Sequence, residues 1–582
     1  MARSQLQKLG TYLNPHWPKA ALGVAALFVV NLVGVWIPLL IRDGIDELQV
    51  TFSFNRVMYY ALMVLILASV MWVIRMVSRI MLFGVGRQVE FDLKQRIFQH
   101  LLQMEPAYFS RNTAGELISR STSDVDNIRR LLGFAILSLA NTVFAYALTV
   151  PVMLSISVRL TLISLAIYPL MLVLVQMFSD RLRVQQLDVQ ERLSRLSDLI
   201  QEDMSGISLI KIYAQEDNER RAFQQLNQNL LTANLTLAKT RTTLFPLLGG
   251  LASISLLVIL ATGAGAITEG YLTVGDFVAL LLYVERLVFP TALLGFTITA
   301  YQRGEVSIDR VETILDAVPK IQTAPDAVPL PLEQVQGGLE AHNLSYTYPG
   351  SAVPALDQVS FAIAPGERIA IVGPIGSGKS TLANALPRLL DIEAEQLRLD
   401  GHDVTTLPLH DLRQAIAYVP QDSFLFSTSI SNNIRYGAPL TEFPEVQYAA
   451  KQAQIDPEIQ NFPQQYDTIV GERGITLSGG QRQRTALSRA LLIDAPILVL
   501  DDALSSVDNR TATAILDALS EGTQQKTVLF ISHQMSAAAT ADRIFVMDRG
   551  RIVQTGNHAD LLLETGLYGD LWKQHQIETS LE

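Results

Sequence analysis

Six long apolar runs constrain the fold of this chain more than any other feature of its sequence. Five of them carry no charged residue over 18 to 28 positions, and the sixth is interrupted only by Glu285 and Arg286. A helix needs about 20 predominantly apolar residues to cross the hydrocarbon core of a bilayer. Buried helices of soluble proteins rarely stay free of charge for so long. We therefore predict six membrane spans, at approximately 20–41, 57–74, 131–158, 160–179, 242–268 and 277–302.

The positively charged residues indicate how these spans are oriented. Lys and Arg occur nine times in 75–130 and nine times in 181–241, but only three times in the three alternate connections together. Positively charged loops stay on the cytoplasmic side of a membrane. The N-terminus and the region after the sixth span are therefore expected in the cytoplasm.

The two positively charged connections are long and rich in helix formers. They predict that the spans continue as helical stalks roughly 35–40 Å beyond the bilayer. Thr113, three residues before Glu116, is a candidate helix cap at one stalk tip. Residues 317–338 contain four prolines and two glycines, which indicates a linker. The predicted organisation is a transmembrane domain at 1–316, this linker, and a second domain at 339–582.

Composition excludes two kinds of chemistry. The 582 residues include no cysteine, so disulfides and thiolate metal sites are excluded. The net charge of −11 gives no reason to expect nucleic acid as a partner. The lipid bilayer is the partner that the apolar runs predict.

The second domain has a different pattern, in which short β-rich runs alternate with helical stretches. This alternation predicts an α/β fold with a largely parallel sheet. One strand leads into a segment with the spacing of a phosphate-binding loop, whose backbone N–H groups wrap phosphates at a helix start. The candidate nucleotide ligands in this loop are Gly373, Gly376, Ser377, Gly378, Lys379, Ser380 and Thr381.

Another strand ends in two adjacent carboxylates, Asp501 and Asp502. In the phosphate-loop class of nucleotidases, an aspartate at this place and the hydroxyl of the loop serine hold Mg²⁺. Asp501 and Ser380 are therefore candidate magnesium ligands. Lys379 is expected to reach the β- and γ-phosphates of the nucleotide.

A second glycine motif indicates which family of phosphate-loop nucleotidases the chain resembles. The residues Leu477–Gln481 read LSGGQ and precede the Asp501 strand. This sequence and its place resemble the signature of the ATP-binding-cassette family. Its serine and glycines, at a predicted helix start, form an anion cradle. The resemblance implies that Ser478, Gly479, Gly480 and Gln481 bind the γ-phosphate of an ATP molecule held by the other subunit.

Four further residues resemble elements of this family by their order and spacing. Tyr348 resembles the aromatic residue that stacks on adenine. Gln421 resembles the glutamine that contacts Mg²⁺ and the attacking water, and His533 resembles the switch histidine that contacts the γ-phosphate. Asp508 resembles the aspartate of the loop that crosses the dimer interface. With Asp502, Gln421 and His533 are the candidate catalytic residues.

The resemblance covers nearly the whole chain and points to bacterial multidrug and lipid half-transporters. It implies an ATPase with the cofactors ATP and Mg²⁺ that exports or flips amphipathic drugs or lipids by alternating access. It also implies a second half-transporter as partner, with two ATP molecules between the two chains. The layout without a targeting extension favours a bacterial plasma (inner) membrane. An ATP-gated channel is the alternative function.

Asp502 departs from the family pattern, which has glutamate directly after the magnesium aspartate to polarise the attacking water. The missing methylene retracts the carboxylate by roughly 1.5 Å, whereas a base must lie about 2.6–3.2 Å from its proton. A misplacement near 1 Å costs about a hundredfold. We predict slow hydrolysis at the site built on Lys379 and Asp501. The resemblance then favours a heterodimer whose partner keeps the glutamate, and a homodimer with a shifted water is the alternative.

Glu285 and Arg286 lie near the middle of the sixth span. Charges inside a membrane are functional candidates by default, so both are candidate substrate residues. On a helix they point about 100° apart. One of them can therefore face a cavity while the other pairs with a neighbouring span, and a purely structural ion pair in the bundle is the alternative.

Overall fold

The computed structural model describes residues 5–50, 52–471, 474, 476–505, 507, 511, 512, 514–516 and 526–581. The chain divides into two compact units. The first unit comprises Met1–Leu102 and Thr113–Ala317, and the second comprises Gln103–Asn112 and Val318–Glu582.

Among its described residues, the first unit contains six helices that are long and apolar enough to cross a membrane. This confirms the six-helix membrane fold that the apolar runs predict. Each helix is longer than its apolar run, and in the four middle helices the predicted stalks account for the extra length. The helices are α1 Gln7–Val50, α2 Phe54–Leu101, α3 Ala114–Ile156, α4 Val158–Ser205, α5 Glu216–Thr268 and α6 Val274–Leu315.

The stalk tips end where the local sequence disfavours a continuous helix. The Thr113 hydroxyl accepts the N–H of Glu116 at 3.3 Å, so the predicted cap begins α3. At the other tip, Gly206 separates α4 from the short helix Ile207–Ile212. The short helix Pro106–Arg111, between α2 and α3, belongs to the second unit.

The sixth helix is the best buried of the spanning helices. Tyr283 is fully buried on α6 and donates its hydroxyl to the carbonyl oxygen of Val35 on α1 at 2.6 Å. Tyr168 on α4 donates in the same way to the carbonyl of Val284, also at 2.6 Å. Because few acceptors exist in a membrane interior, these bonds to main-chain carbonyls fix α6 against its neighbours.

The described residues of the second unit form two sheets, built from the strands β1 Leu339–Tyr346, β2 Leu356–Ile363, β3 Arg368–Val372, β4 Leu397–Leu399, β5 His402–Asp403, β6 Ile416–Val419, β7 Ile497–Asp501, β8 Thr527–Ile531, β9 Arg543–Asp548 and β10 Arg551–Gly556. The larger has the order β10-β9-β3-β8-β7-β6 and is parallel except at its β10 edge, which confirms the predicted α/β fold. The smaller is antiparallel, with the order β2-β1-β4-β5.

Both faces of the larger sheet are covered. Along β7, Ile497 and Val499 join the apolar cluster shared with the smaller sheet, while Leu498 and Leu500 join a cluster shared with the helices. Such burial on two faces explains the unbroken apolar sequence of this strand. Besides Pro106–Arg111, the α-helices in the described residues of this unit are α7 Lys379–Ala385, α8 Leu409–Gln414, α9 Ile430–Ile434, α10 Phe443–Gln452, α11 Asp456–Gln460, α12 Gly479–Leu492, α13 Met535–Ala538, α14 His558–Leu563 and α15 Leu567–Leu581.

Candidate nucleotide-binding site

The phosphate loop joins the buried strand β3 to α7. Gly373, Gly376 and Gly378 have φ angles of 151°, 80° and 100°, which residues with side chains rarely adopt. A Cβ atom on Gly373 would lie 2.1 Å from the carbonyl oxygen of Met547. The loop therefore depends on glycine for its shape. Turns of this kind leave successive N–H groups available to an anion.

Lys379 lies inside this loop and is 6% exposed. Its Nζ donates to the carbonyl oxygens of Gly373 and Pro374, both at 2.8 Å. Burial lowers the pKa of the lysine, and the nearby carboxylates of Asp502 and Asp501 oppose that change. The ammonium is thus positioned by the backbone that wraps the expected phosphates.

The two candidate magnesium ligands are brought together by the sheet. Ser380 Oγ donates to Asp501 Oδ1 at 2.9 Å. Asp501 is 3% exposed, and burial raises the pKa of its carboxyl group. Hard oxygen donors at one point suit Mg²⁺, so the residues present fit this ion.

Tyr418 and Asn384 also belong to this cluster, and the motifs did not predict them. The Tyr418 hydroxyl lies 3.3 Å from Asp501 Oδ2 and 2.9 Å from Asn384 Oδ1. Tyr418 is on β6, which pairs in parallel with β7. No local sequence signal marks the contact with Asp501, because the two residues are 83 positions apart and meet only through the pairing of their strands.

We expect Tyr418→Phe to lower the affinity for Mg²⁺ about tenfold, so that nucleotide binding needs a higher Mg²⁺ concentration, because residues that orient a metal ligand commonly contribute this much. The measurement is a Mg²⁺ titration of fluorescent ATP binding. Tyr466→Phe is the matched control, because Tyr466 makes the same kind of bond to a buried aspartate, Asp456, at 2.6 Å. Equal Mg²⁺ affinity in wild type and Tyr418→Phe would contradict the positioning role.

The three candidate catalytic residues meet around Asp502. Its carboxylate lies in the electrostatic field of His533 and close to Gln421, and both residues lower its pKa. Burial has the larger effect and raises the pKa of Asp502 above the ordinary aspartate range. The backbone of Asp502 has a φ of 52°, so this side chain leaves the strand from a left-handed turn.

Tyr348 lies beside the phosphate loop. Its hydroxyl is 3.3 Å from Thr381 Oγ1, and the ring is 41% exposed. Tyr346 supports it in an edge contact with 5.0 Å between ring centroids. The exposed ring face is available for stacking on a base. Asp508, the remaining predicted nucleotide ligand, lies outside the described residues.

The signature begins α12. Ser478 Oγ accepts the N–H of Gln481 at 3.3 Å, and Gln481 Oε1 accepts the N–H of Ser478 at 3.0 Å. The serine hydroxyl therefore keeps its own proton for another acceptor. The first N–H groups of the helix, at Gly479 and Gly480, have no acceptor within the helix. Together they provide the donors of an anion cradle.

Glu458 on α11 holds the signature in place. Its Oε2 accepts from Gln481 Nε2 at 2.9 Å, and its Oε1 lies 2.6 Å from an Arg484 nitrogen. Gln481 is thereby fixed at both ends of its amide. No motif marks a glutamate at this distance from the signature.

The structure places Glu285 and Arg286 in different surroundings. Glu285 is exposed on α6. The Nη2 atom of Arg286 donates to the carbonyl oxygen of Asn31 at 2.9 Å and to its Oδ1 at 3.3 Å. Within the described ranges, neither residue has an ion-pair partner within 4.0 Å. The ion pair that the sequence left open is therefore not formed there.

Comparisons with known proteins agree along the whole chain. Residues 20–291 match the ABC transporter transmembrane region, and residues 356–505 match the ABC transporter domain. The multidrug resistance-like ATP-binding protein MdlA of Escherichia coli is 33% identical over 99% of this chain and 97% of its own length. The ATP-dependent lipid A-core flippase of Thiobacillus denitrificans is 33% identical over 96% of both chains.

The solved structure of a bacterial Atm1-family ABC exporter with ATP bound matches 97% of this chain and 98% of its own, with a TM-score of 0.77 and 26% identity. The resemblance drawn from the signature is thereby confirmed, as are the membrane and nucleotide-binding halves. The chain belongs to the ABC transporter family: it is a multi-pass membrane protein with the exporter fold, whose ATPase domain binds nucleotide and drives transport.

Proposed function

We propose that this chain is one half of a dimeric exporter that uses ATP to move amphipathic drugs or lipids across a bacterial plasma (inner) membrane. Relatives named as a multidrug resistance-like protein and a lipid A-core flippase support this substrate class. The positive residues of 75–130 and 181–241 support a cytoplasmic N-terminus and a cytoplasmic nucleotide-binding domain.

The observation that carries the proposal is that one chain holds two different halves of an ATP site. Lys379 lies inside a phosphate loop, and Ser478 stands at an exposed helix start with its donors free for an anion. A second half-transporter supplies a signature opposite this phosphate loop and a phosphate loop opposite this signature. Two ATP molecules are then bound between the two chains, each by one phosphate loop and one signature.

The residues divide the chemistry of one site among them. When bound, Mg²⁺ would neutralise phosphate charge, and we propose that Ser380, Asp501 and Gln421 hold it, a role that the hydrogen bond between Ser380 and Asp501 supports. Lys379 binds the β- and γ-phosphates, and Asp502 orients the attacking water. His533, Tyr348 and Asp508 are proposed to contact the γ-phosphate, the adenine and the dimer interface, in that order.

ATP acts on the membrane domain through its preference for the closed dimer. A ligand shifts a conformational equilibrium only by the difference of its affinities for the two states. ATP contacts both chains only when the cassettes are together, so it favours closure. The stalks α2 to α5 transmit closure to the spans and turn the cavity outward, and hydrolysis resets the cycle.

We further propose that this chain is the slowly hydrolysing subunit of a heterodimer. The proposal rests on Asp502, whose carboxylate ends one methylene short of the glutamate that the family has at this place. The intact signature at Ser478 would then serve the partner's faster site. A homodimer with two active sites is the alternative.

The function is tested in proteoliposomes that contain the purified transporter. We expect ATP-dependent accumulation of an amphipathic dye or flipping of a fluorescent lipid, abolished by a non-hydrolysable ATP analogue. Planar-bilayer recordings are made on the same preparation. Ion currents gated by ATP, without accumulation or flipping, would instead support the channel.

A further inference from the structure

A polar cluster crosses three helices in the apolar part of the membrane domain. Arg286 on α6 donates to the carbonyl and side-chain oxygens of Asn31 on α1. Asn31 is 3% exposed, and its Nδ2 donates to Asn141 Oδ1 on α3 at 3.1 Å. We call these three residues the Arg286 cluster. Polar side chains at this depth are costly and commonly mark a substrate path.

The guanidinium group sits in a space shaped for it. A Cβ atom on Gly34 of α1 would lie 2.1 Å from Arg286 Nη1, so any side chain at this position would displace the guanidinium group from where it lies. One turn before Arg286, Tyr283 bonds to the carbonyl of Val35, which fixes the register of α6 against α1. Arg286 therefore has a defined position rather than a flexible one.

The positive charge of Arg286 is not neutralised by the residues around it. Its acceptors, the Asn31 oxygens, are neutral and both engage Nη2. Across the part of the chain that the structure describes, no carboxylate lies within 4.0 Å and no acceptor engages Nε or Nη1. Neither atom is among the fully buried unpaired nitrogens, so each keeps some exposed surface in the single chain.

We propose that Arg286 binds the anionic headgroup of an amphipathic substrate, with a phosphate, sulfate or carboxylate on the accessible Nε and Nη1 donors. A planar guanidinium fork matches the oxygens of such groups in two parallel bonds. Hydrocarbon cannot satisfy these donors, and a fixed charge in a membrane interior gains most from an opposite charge. This inference rests on the proposed exporter function and narrows its substrates to anionic amphipaths.

Binding to the full-length transporter in phosphatidylcholine nanodiscs tests the inference. The probes are three dansyl-labelled dodecyl amphipaths that differ in the headgroup: phosphate, maltoside and trimethylammonium. We expect the phosphate probe to bind at least about tenfold more tightly than the maltoside probe. Arg286→Gln should remove this preference and leave maltoside binding unchanged. Inorganic phosphate alone should not displace the probe, because the apolar tail is required.

Two further variants separate recognition from folding. Arg286→Lys keeps the charge without the planar fork and should retain part of the preference. Gly34→Ala keeps the arginine but fills its space, and should weaken binding of the phosphate probe alone. Arg159→Gln is the control for general surface charge, because this exposed arginine lies at the far end of α4 from the stalk. It should leave all three affinities unchanged.

The outcomes distinguish this inference from the exporter function. Two results overturn the role of Arg286: equal binding of the three headgroups by the wild type, or a uniform loss of binding of all three probes with Arg286→Gln. In either case, ATP-dependent transport of the maltoside probe by the wild type shows that the exporter function still holds. Failure to transport any probe in proteoliposomes argues against the exporter function itself. Loss of the phosphate preference in both Arg286→Gln and Gly34→Ala supports the inference.

Discussion

Replacing Asp502 by glutamate is expected to raise the ATPase turnover of the purified chain by about ten- to a hundredfold, because a base displaced by about 1 Å loses this much. The backbone does not make up for the short side chain. Asp502 donates its N–H to the carbonyl of Ile531 at 3.2 Å and accepts the Ser505 hydroxyl at 2.9 Å on its own carbonyl oxygen. Its Cα is therefore held in place, and only a longer side chain extends the carboxylate.

The measurement is the steady-state turnover at saturating Mg²⁺ and ATP, with the oligomeric state of each sample determined by native mass. The KM for ATP should change little, since the substitution alters the attack on the γ-phosphate rather than nucleotide binding. Asp502→Asn is the matched control: it keeps the size and removes the charge. It should lower the already slow turnover only modestly.

The pH dependence of ATP hydrolysis is an independent test of the role of Asp502. Burial raises the pKa of Asp502, so this carboxylate takes up its proton at a higher pH than an exposed aspartate. As the solution is acidified, the residual hydrolysis of the wild type should therefore begin to fall at a pH above the one at which an ordinary exposed aspartate is protonated. Robust turnover that Asp502→Glu leaves unchanged would refute the slow-site proposal and favour the homodimer.

The parts of the nucleotide site that the sequence predicts are local. The phosphate loop and the signature each specify a short turn and the start of a helix, and these depend on neighbouring residues. The sequence alone therefore suffices to assign Gly373 to a turn and Ser478 to a helix cap. The doubled carboxylate is likewise assigned to the end of a strand by the apolar run that precedes it.

The contacts that the sequence did not reveal join distant segments. Tyr418 reaches Asp501 only because β6 pairs with β7 in parallel, a register that no local pattern encodes. Glu458 reaches Gln481 through the packing of α11 against α12. Arg286 and Asn31 are 255 positions apart, and their contact depends on how α6 lies on α1. The sequence marked Arg286 as unusual but gave no means to find its neighbour.

Substituting Ser478 and Lys379 separately should reveal which of the two ATP sites carries out most of the hydrolysis. In the transporter purified from native membranes through a tag on this chain, we expect Ser478→Ala to lower ATPase turnover by about a hundredfold, as removal of a donor to a transition-state oxygen commonly does. Lys379→Ala should lower it only a few-fold. Ser429→Ala is the matched control, because Ser429 caps α9 with the same bond, at 3.2 Å from the N–H of Asn432, away from the signature.

The difference between the two effects follows from where each residue acts. In a heterodimer, Lys379 belongs to the site that contains Asp502, whereas Ser478 completes the site built on the partner's phosphate loop. If the partner's site carries most of the hydrolysis, loss of Ser478 removes it and loss of Lys379 removes only the slow one. In a homodimer every site needs Lys379 from one chain and Ser478 from the other. Equal and nearly complete losses from the two substitutions would therefore mean two equivalent sites.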